Sequence, residues 1–223
     1  MLGSHGRSVT RKIFSAPVRA LAAAGVRPNH ITIAGTTITV VLALTLLARG
    51  HWAAGAISLG VVLFADSVDG LLARYTDSSS DFGAFLDSTL DRVGDGAVFA
   101  SLVYWIAVGM TPGWQRTWML AVALVTLVGA TTVPYARAKA EAMGTTASGG
   151  IAERTDRLVI VLVGCGLYGF GLTIWLPLIA FTWTAFATIV TTGMRIARAR
   201  RGLQSGENAT DLTPNAGIHG GGA

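Results

Sequence analysis

The sequence is poor in charge and in cysteine. Only 13% of its 223 residues are charged, whereas a soluble domain carries roughly 25%. Hydrophobic residues make up 52% of the chain, which favours an integral membrane protein over a soluble one. The single cysteine, Cys165, lies in an apolar run. An internal disulfide is therefore excluded, and we expect a buried apolar side chain there. No nucleic-acid-binding motif is present, and we expect no nucleic-acid partner.

Six apolar segments have the length of a membrane-spanning helix, which needs about 20 mainly apolar residues. They cover approximately residues 31–47, 53–74, 83–108, 114–142, 157–170 and 174–196. Short connectors make neighbouring helices antiparallel. The sequence therefore predicts an all-α integral membrane protein with six transmembrane helices.

Two further segments flank this six-helix domain, which we place at residues 29–201. In residues 1–28, apolar side chains such as Ile13 and Phe14 are interleaved with Arg11 and Lys12. This pattern is typical of an amphipathic helix lying on the membrane surface, although Pro17 interrupts it. Residues 202–223 are polar and rich in glycine, which predicts a disordered cytoplasmic tail.

The basic residues predict how the helices are oriented. With six spans, both termini share one side of the membrane. All but two of the 17 Lys and Arg residues fall on that side, the exceptions being Arg49 and Arg116. Because cytoplasmic loops carry an excess of Lys and Arg, both termini are predicted to be cytoplasmic in a multi-pass protein of the cell membrane.

Four aspartates interrupt the apolar pattern between the second and third segments. Asp66 and Asp69 are three residues apart, and Asp87 and Asp91 are four apart, so each pair shares one helix face. The two helices are consecutive and antiparallel, which brings both pairs together at the cytoplasmic end. Ionisable residues in membrane segments are costly and usually functional.

The chemistry of this cluster indicates a metal site. Four carboxylates around one cavity repel each other unless cations lie between them, and Mg²⁺ or Mn²⁺ prefers oxygen ligands. Two such ions can hold both the attacking and the leaving oxygen in a phosphoryl displacement. Gly70 and Gly83 allow close approach of a ligand, and Arg74 is placed to meet a phosphate. By contrast, Asp77 and Asp81 are interpreted as ordinary surface residues.

The spacing of this cluster resembles the signature of the CDP-alcohol phosphotransferase family, D-x2-D-G-x2-A-R-x8-G-x3-D-x3-D. Every fixed position is present: Asp66, Asp69, Gly70, Ala73, Arg74, Gly83, Asp87 and Asp91. The resemblance implies a six-helix membrane enzyme, usually homodimeric, that transfers a substituted phosphate from a CDP-linked donor to an alcohol and releases CMP. The resemblance also implies that the reaction depends on Mg²⁺ or Mn²⁺, with two ions expected in the site.

The resemblance also implies roles for individual residues. Asp66, Asp69, Asp87 and Asp91 would be the metal ligands, and Asp91 would also be the catalytic general base. The CDP-binding set would be Asn29, Thr32, Asp66, Asp69, Gly70, Ala73, Arg74, Gly83 and Asp87. Asn29 is also a plausible helix cap. Asp95, outside the signature, is expected to pair with an arginine, either Arg92 or one from another helix.

The signature leaves the acceptor open, and basic residues of the last three segments bear on it. Arg137, Lys139, Arg154 and Arg195 are predicted at the membrane face that carries the aspartates, which suggests a phosphorylated acceptor. The alternative is that they only anchor the helices at the membrane surface. The stretches at residues 27–32, 135–141 and 151–158 are similar to actinobacterial phosphatidylinositol-phosphate synthases. That similarity implies CDP-diacylglycerol as donor and inositol 1-phosphate as acceptor, held by these four residues.

Two other functions remain open from the sequence. A phosphatidylglycerophosphate synthase, which uses glycerol 3-phosphate, would share the whole aspartate signature. A divalent-cation transporter is a more distant alternative, because the aspartates cluster at one membrane face and not at the midplane, where transporters bind their ions.

Overall fold

The computed structural model describes residue 25 and residues 27–65 and 80–211, with side chains described up to residue 205. Every regular element in these ranges is a helix. They are α1 (Pro28–Leu42, continued by a π-helical turn at Ala43–Leu47), α2 (Trp52–Ala65), α3 (Asp81–Gly109), α4 (Trp114–Ala142), α5 (Arg154–Gly169) and α6 (Trp175–Asp211). The predicted all-α class is confirmed for this part of the chain.

Local sequence signals account for several helix ends. Ser80 caps α3, since its hydroxyl accepts a hydrogen bond from the Gly83 backbone N–H at 3.0 Å. At the start of α5, the Glu153 backbone N–H donates to the Asp156 side chain at 3.0 Å. The α4 helix ends before Gly144, whose φ of 78° is in the left-handed region that favours glycine. Such caps fix where each helix enters the membrane layer.

Three boundaries differ from the prediction. The N-cap of α1 is Arg27, and no side-chain cap bond forms there. The prediction that Asn29 caps this helix is therefore wrong; Asn29 lies within the first turn. The α5 helix begins at Arg154, three residues before the predicted start. The α6 helix continues to Asp211, so the first ten residues of the tail predicted to be disordered are helical. The predicted surface helix in residues 1–28 lies almost entirely outside the described residues.

The helices pack in a bundle with two chemically different ends. α4 packs mainly on α6, and α1 on α3, with both helices of each pair running in the same direction. α2 packs on α5 in the antiparallel direction. At one end Trp52 contacts both Trp105 and Tyr168, with ring centroids 4.6 Å and 5.4 Å apart. We call this the aromatic end. The opposite end carries the arginines of α3 to α6 except Arg116, which donates to the Ala107 carbonyl at the aromatic end. We call this opposite end the basic end.

Small residues permit close helix contacts inside the bundle. A Cβ atom on Gly164 of α5 would lie 2.7 Å from the Ala180 Cβ of α6, so a larger residue would separate the two helices. Cys165 is fully buried beside it, as predicted. The core also contains the large side chains of Trp52 and Phe99.

The outer surface of the bundle is apolar. Large hydrophobic side chains such as Val61, Val128 and Ile189 are more than 60% exposed, which a soluble protein would not tolerate over a whole surface. Within the described ranges, three helical segments are long and apolar enough to cross a membrane: Pro28–Leu47, Trp114–Ala142 and Trp175–Ser205. A multi-pass membrane protein accounts for this surface. The total of six spans stays a prediction.

Candidate active site

The described half of the aspartate signature lies on one face of α3. Gly83, Asp87 and Asp91 are spaced four residues apart within the first three turns, so their side-chain positions line up along the helix. The other signature residues lie outside the described residues: Asp66, Asp69, Gly70, Ala73 and Arg74. In the described ranges, no three His, Cys, Asp or Glu side chains form a group that could hold a metal.

The first turn of α1 meets the first turn of α3 beside this face. A Cβ atom on Gly83 would lie 3.3 Å from Asn29 Oδ1 and 3.2 Å from Ser80 Oγ. A side chain at position 83 would therefore press on the Asn29 amide and the Ser80 hydroxyl, which would have to shift by a few tenths of an ångström. Thr32 lies one turn further along α1, nearly buried, with its hydroxyl 3.3 Å from the Pro28 carbonyl oxygen. The structure thus brings together three of the residues predicted to bind CDP.

Arg154 of α5 connects the aspartate face to the rest of the bundle. Its Nη1 atom lies 2.9 Å from Asp91 Oδ1, and its Nε donates to Asp95 Oδ1 at 2.9 Å. Arg92 lies 3.4 Å from Asp91 Oδ2 and 3.9 Å from Asp95 Oδ2. Asp95 is only 2% exposed, so its charge depends on these two arginines. The predicted pairing of Asp95 with arginine is confirmed, and it involves both Arg92 and an arginine of another helix.

A cavity of about 1030 Å³ opens at the basic end, next to this network. It lies between α3, α4, α5 and the loop that joins α4 to α5. Its charged lining consists of five arginines and two glutamates: Arg92, Arg137, Arg154, Arg157, Arg195, Glu141 and Glu153. The lining also contains the Tyr135 hydroxyl and the hydroxyls of Ser88, Thr89 and Thr131. The last three donate to carbonyls of their own helices and can still accept hydrogen bonds from a ligand. The excess of cations favours an anionic ligand that also carries polar groups.

Two of these arginines are held by backbone carbonyls of α4. Arg195 donates to the Val133 carbonyl at 2.6 Å and to the Gly149 carbonyl at 3.2 Å. Arg157 donates to the Gly129 carbonyl at 3.4 Å. Pro134, directly after Val133, cannot donate to the α4 backbone ladder, which loosens the helix here. The bonds to Val133 and Gly149 use two of the five N–H groups that an arginine side chain has, so Arg195 is positioned and still has donors for a ligand.

Three of the four residues predicted to bind the acceptor lie at this cavity, and one does not. Arg137, Arg154 and Arg195 line it. Lys139 lines a different groove, between α4 and α6. Successive residues on a helix are about 100° apart, so positions two apart, such as Arg137 and Lys139, lie on nearly opposite faces.

Sequence reasoning missed two arginines of the cavity, Arg92 and Arg157. Arg157 is three residues after Arg154 on α5, a spacing that places both on one helix face and that could have identified it. Ser88 and Thr89 occupy variable positions of the signature, between Asp87 and Asp91. No spacing rule would have selected them.

Comparisons with known proteins show the family of the chain. A family model described as CDP-alcohol phosphatidyltransferase matches residues 26–191. The phosphatidylinositol phosphate synthase of Mycobacteroides abscessus is 38% identical over 217 residues, which cover 97% of this chain and 94% of that protein. The Mycolicibacterium smegmatis protein of the same name is 40% identical over 195 residues, 83% of either chain.

Solved structures give the same result. The phosphatidylinositol phosphate synthase of Mycobacterium tuberculosis with CDP-DAG bound matches with a TM-score of 0.79 and 35% identity, covering 84% of this chain and 94% of that chain. The same enzyme in complex with manganese and citrate gives a TM-score of 0.78 over 82% of this chain and 87% of that chain. Together with the signature, these matches establish that the chain belongs to the CDP-alcohol phosphatidyltransferase family of enzymes.

Proposed function

We propose that this enzyme transfers the phosphatidyl group of CDP-diacylglycerol to the hydroxyl of inositol 1-phosphate. The products are phosphatidylinositol phosphate and CMP. The observation that carries the proposal is the arginine-lined cavity beside Asp91. Relatives named phosphatidylinositol phosphate synthase, which match nearly the whole chain, support the same acceptor.

The cavity suits a small phosphorylated polyol. Arg137, Arg154 and Arg195 supply cationic donors for the acceptor phosphate, and Arg157 adds a fourth. Carboxylates and hydroxyls of the same lining can bind the ring hydroxyls of inositol. Because Arg154 also contacts Asp91, a phosphate bound to Arg154 lies close to the aspartate face of α3.

Asp91 is the proposed general base. In the reaction, the acceptor hydroxyl attacks the β-phosphorus of CDP-diacylglycerol and gives its proton to the Asp91 carboxylate. A new P–O bond forms, and the bond between the β-phosphorus and the oxygen bridging to CMP breaks. CMP leaves with that oxygen. The arginines at 2.9 Å and 3.4 Å keep the Asp91 carboxylate oriented for this transfer.

The residues at the aspartate face fit a divalent metal. Asp87 and Asp91 provide carboxylate oxygens one turn apart, the donor type that Mg²⁺ and Mn²⁺ take. An ionised carboxylate has about four lone-pair sites, so the arginine contacts of Asp91 do not prevent coordination. We propose that Asp66 and Asp69 complete a site for two ions. When bound, such ions neutralise the diphosphate and the CMP leaving group.

The nucleotide is proposed to lie where α1 meets α3. Asn29 approaches Gly83 from α1, and the lack of a side chain at Gly83 leaves the Asn29 amide in place. Thr32 lies one turn further along α1. The signature residues outside the described ranges, Gly70, Ala73 and Arg74, are proposed to complete the CDP pocket with the aspartates.

The distribution of basic residues supports the proposed location. We infer that the basic end, both termini and the active site face the cytoplasm, where CDP-linked lipids and sugar phosphates would be available. We further propose a homodimer in the cell membrane, as the resemblance to the family implies.

Purified enzyme supplied with labelled CDP-diacylglycerol and Mg²⁺ tests the acceptor directly. CMP release is measured with inositol 1-phosphate, glycerol 3-phosphate or free inositol as the only acceptor. We expect turnover with inositol 1-phosphate to exceed that with the other two. Preferential use of glycerol 3-phosphate would establish the alternative synthase instead.

Two variants make the assay specific to the site. Asp91→Asn removes the proton acceptor, so turnover should be lost with every acceptor. Asp81→Asn is the matched control, because Asp81 is an exposed aspartate in the first turn of the same helix. Full activity of Asp91→Asn would exclude Asp91 as the base, and Mg²⁺ flux without CMP release would favour a transporter.

A further inference from the structure

A second groove runs along the outside of the bundle between α4 and α6 and adjoins the arginine-lined cavity at Thr132, Tyr135 and Arg195. At the basic end it has a volume of about 580 Å³ and is lined by Lys139, Arg200 and Gln204 together with apolar residues. Towards the middle of the bundle it continues as a shallower part of about 400 Å³. Thr132 and Thr192 line both parts, so the groove is continuous.

The inner part of the groove is apolar although it contains threonines. Thr132 donates to the Val128 carbonyl at 2.9 Å, and Thr192 donates to the Thr188 carbonyl at 2.9 Å. Since these hydroxyls are used within their own helices, the surface presented beyond them is hydrocarbon. Val128 and Ile189, each more than 60% exposed, form its walls. Such a surface suits acyl chains.

The outer part of the groove carries two cationic side chains, Lys139 and Arg200. Among the residues that the structure describes, these two side chains form no ion pair or hydrogen bond. Their neighbours differ: Arg137 pairs with Glu141 at 2.8 Å, and Arg198 donates to the Ser148 carbonyl. An anion at the mouth of the groove would therefore meet unpaired positive charge.

The dimensions match one leaflet of a bilayer. From Lys139 to Leu124, α4 rises 1.5 Å per residue over fifteen residues, which is about 22 Å. Half of a bilayer with its headgroup region is also about 20–22 Å thick. A phospholipid with its phosphate at Lys139 thus has its acyl chains along the apolar part of the groove.

We propose that the groove between α4 and α6 binds an anionic phospholipid of the membrane. Its phosphate lies between Lys139 and Arg200, and an acyl chain lies against Val128 and Ile189. This lipid is distinct from the donor, whose proposed site is on the other side of the bundle at α1 and α3. Arg195 lines both the groove and the arginine-lined cavity, so the bound lipid adjoins the active site without entering it.

Photo-crosslinking of the full-length enzyme in phosphatidylcholine vesicles tests this site. The probes are phosphatidylglycerol and phosphatidylcholine with the same photoactivatable acyl chain, and labelled peptides are located by mass spectrometry. Two unpaired cations near the membrane surface favour an anionic headgroup by about 30-fold, at about 1 kcal/mol per cation. We therefore expect the peptides of α4 and α6 that line the groove to be labelled preferentially by phosphatidylglycerol.

Two pairs of variants distinguish the contribution of the groove's cations from that of its apolar surface. Lys139→Ala combined with Arg200→Ala should abolish the preference for phosphatidylglycerol, whereas Arg201→Ala removes a neighbouring charge outside the groove and should retain it. Val128→Trp fills the apolar part and should reduce labelling by both probes. Val163→Trp, at an exposed position of α5, should not.

Three results would overturn the proposal. These are equal labelling by the two probes in the unmodified enzyme, an unchanged preference in the double alanine variant, or crosslinking of the α4–α6 face to a second copy of the chain in place of lipid. CMP release from CDP-diacylglycerol and inositol 1-phosphate is measured in the same vesicles, so failure of the groove proposal is distinguishable from failure of the proposed function.

Discussion

Arg154 is predicted to stabilise the fold as well as to bind the acceptor. It pairs at 2.9 Å with both Asp91 and Asp95, and Asp95 is almost completely buried. Arg154→Gln leaves Asp95 with Arg92, at 3.9 Å, as its remaining ion-pair partner among the described residues. Removing one partner of a buried ion pair costs about 3–5 kcal/mol. Because Arg92 remains, we expect the free energy of unfolding to fall by only about 2–3 kcal/mol.

Arg137→Gln is the matched control. Arg137 lines the same cavity and also pairs with a carboxylate at 2.8 Å, but the two side chains are 53% and 48% exposed. An exposed pair four residues apart on a helix contributes only about 0.3–0.5 kcal/mol. The two variants lose the same charge from the same cavity, so they differ mainly in how deeply the partner carboxylate is buried.

Thermal unfolding of the purified enzyme in detergent measures the difference. For a chain of this size, 1 kcal/mol corresponds to roughly 2–4 °C in Tm. Arg154→Gln should therefore lower Tm by roughly 4–12 °C, and Arg137→Gln by about 2 °C at most. Adding Asp95→Asn to Arg154→Gln removes the unpaired charge and should recover part of the loss. Equal Tm shifts in the two single variants, or no recovery in the double variant, would refute the reasoning.

Four further predictions concern the site and the packing. Gly83→Ala should reduce CMP release with little change in Tm, because the new methyl group displaces the amide side chain that α1 places there. Gly164→Ala should lower Tm by crowding α5 against α6, whereas Gly60→Ala, with open space around it, should not lower it. Arg195→Gln should raise KM for the phosphorylated acceptor more than it lowers kcat, while Arg198→Gln, which contacts the same loop from outside the cavity, should change KM little. Removing divalent cations with a chelator should stop CMP release, and added Mg²⁺ or Mn²⁺ should restore it.

Helix bounds could be predicted from the sequence where the ends of an apolar segment coincide with proline or glycine residues. The bounds of α4 follow from the sequence, because a Pro-Gly turn precedes Trp114 and Gly144 ends the helix. The end of α6 was not predictable from composition. The residues after Gly202 are polar, which resembles a tail, yet the helix continues to Asp211. No proline interrupts this stretch, and polar residues do not by themselves end a helix.

The relative positions of site residues could be predicted from the sequence where the residues lie on the same helix. The spacing of Asp87 and Asp91 fixes their common face on α3 without any knowledge of the neighbouring helices. The contact between Arg154 and these aspartates depends on how α5 packs beside α3, and nothing in the sequence around Arg154 encodes that distance. Sequence could have separated Arg137 from Lys139, because residues two apart on a helix do not share a face.

Basic residues at one membrane face therefore have different physical roles that a charge count cannot separate. Arg154 has carboxylate partners and stabilises buried negative charge. Arg195 is held by backbone carbonyls beside Pro134, so it is oriented before any ligand arrives. Lys139 and Arg200 are exposed and have no described partner, so they remain available to the membrane. The positive-inside pattern accounts for why all four are at this end. The partner of each side chain, set by helix packing, determines whether it acts on the fold, the substrate or the lipid.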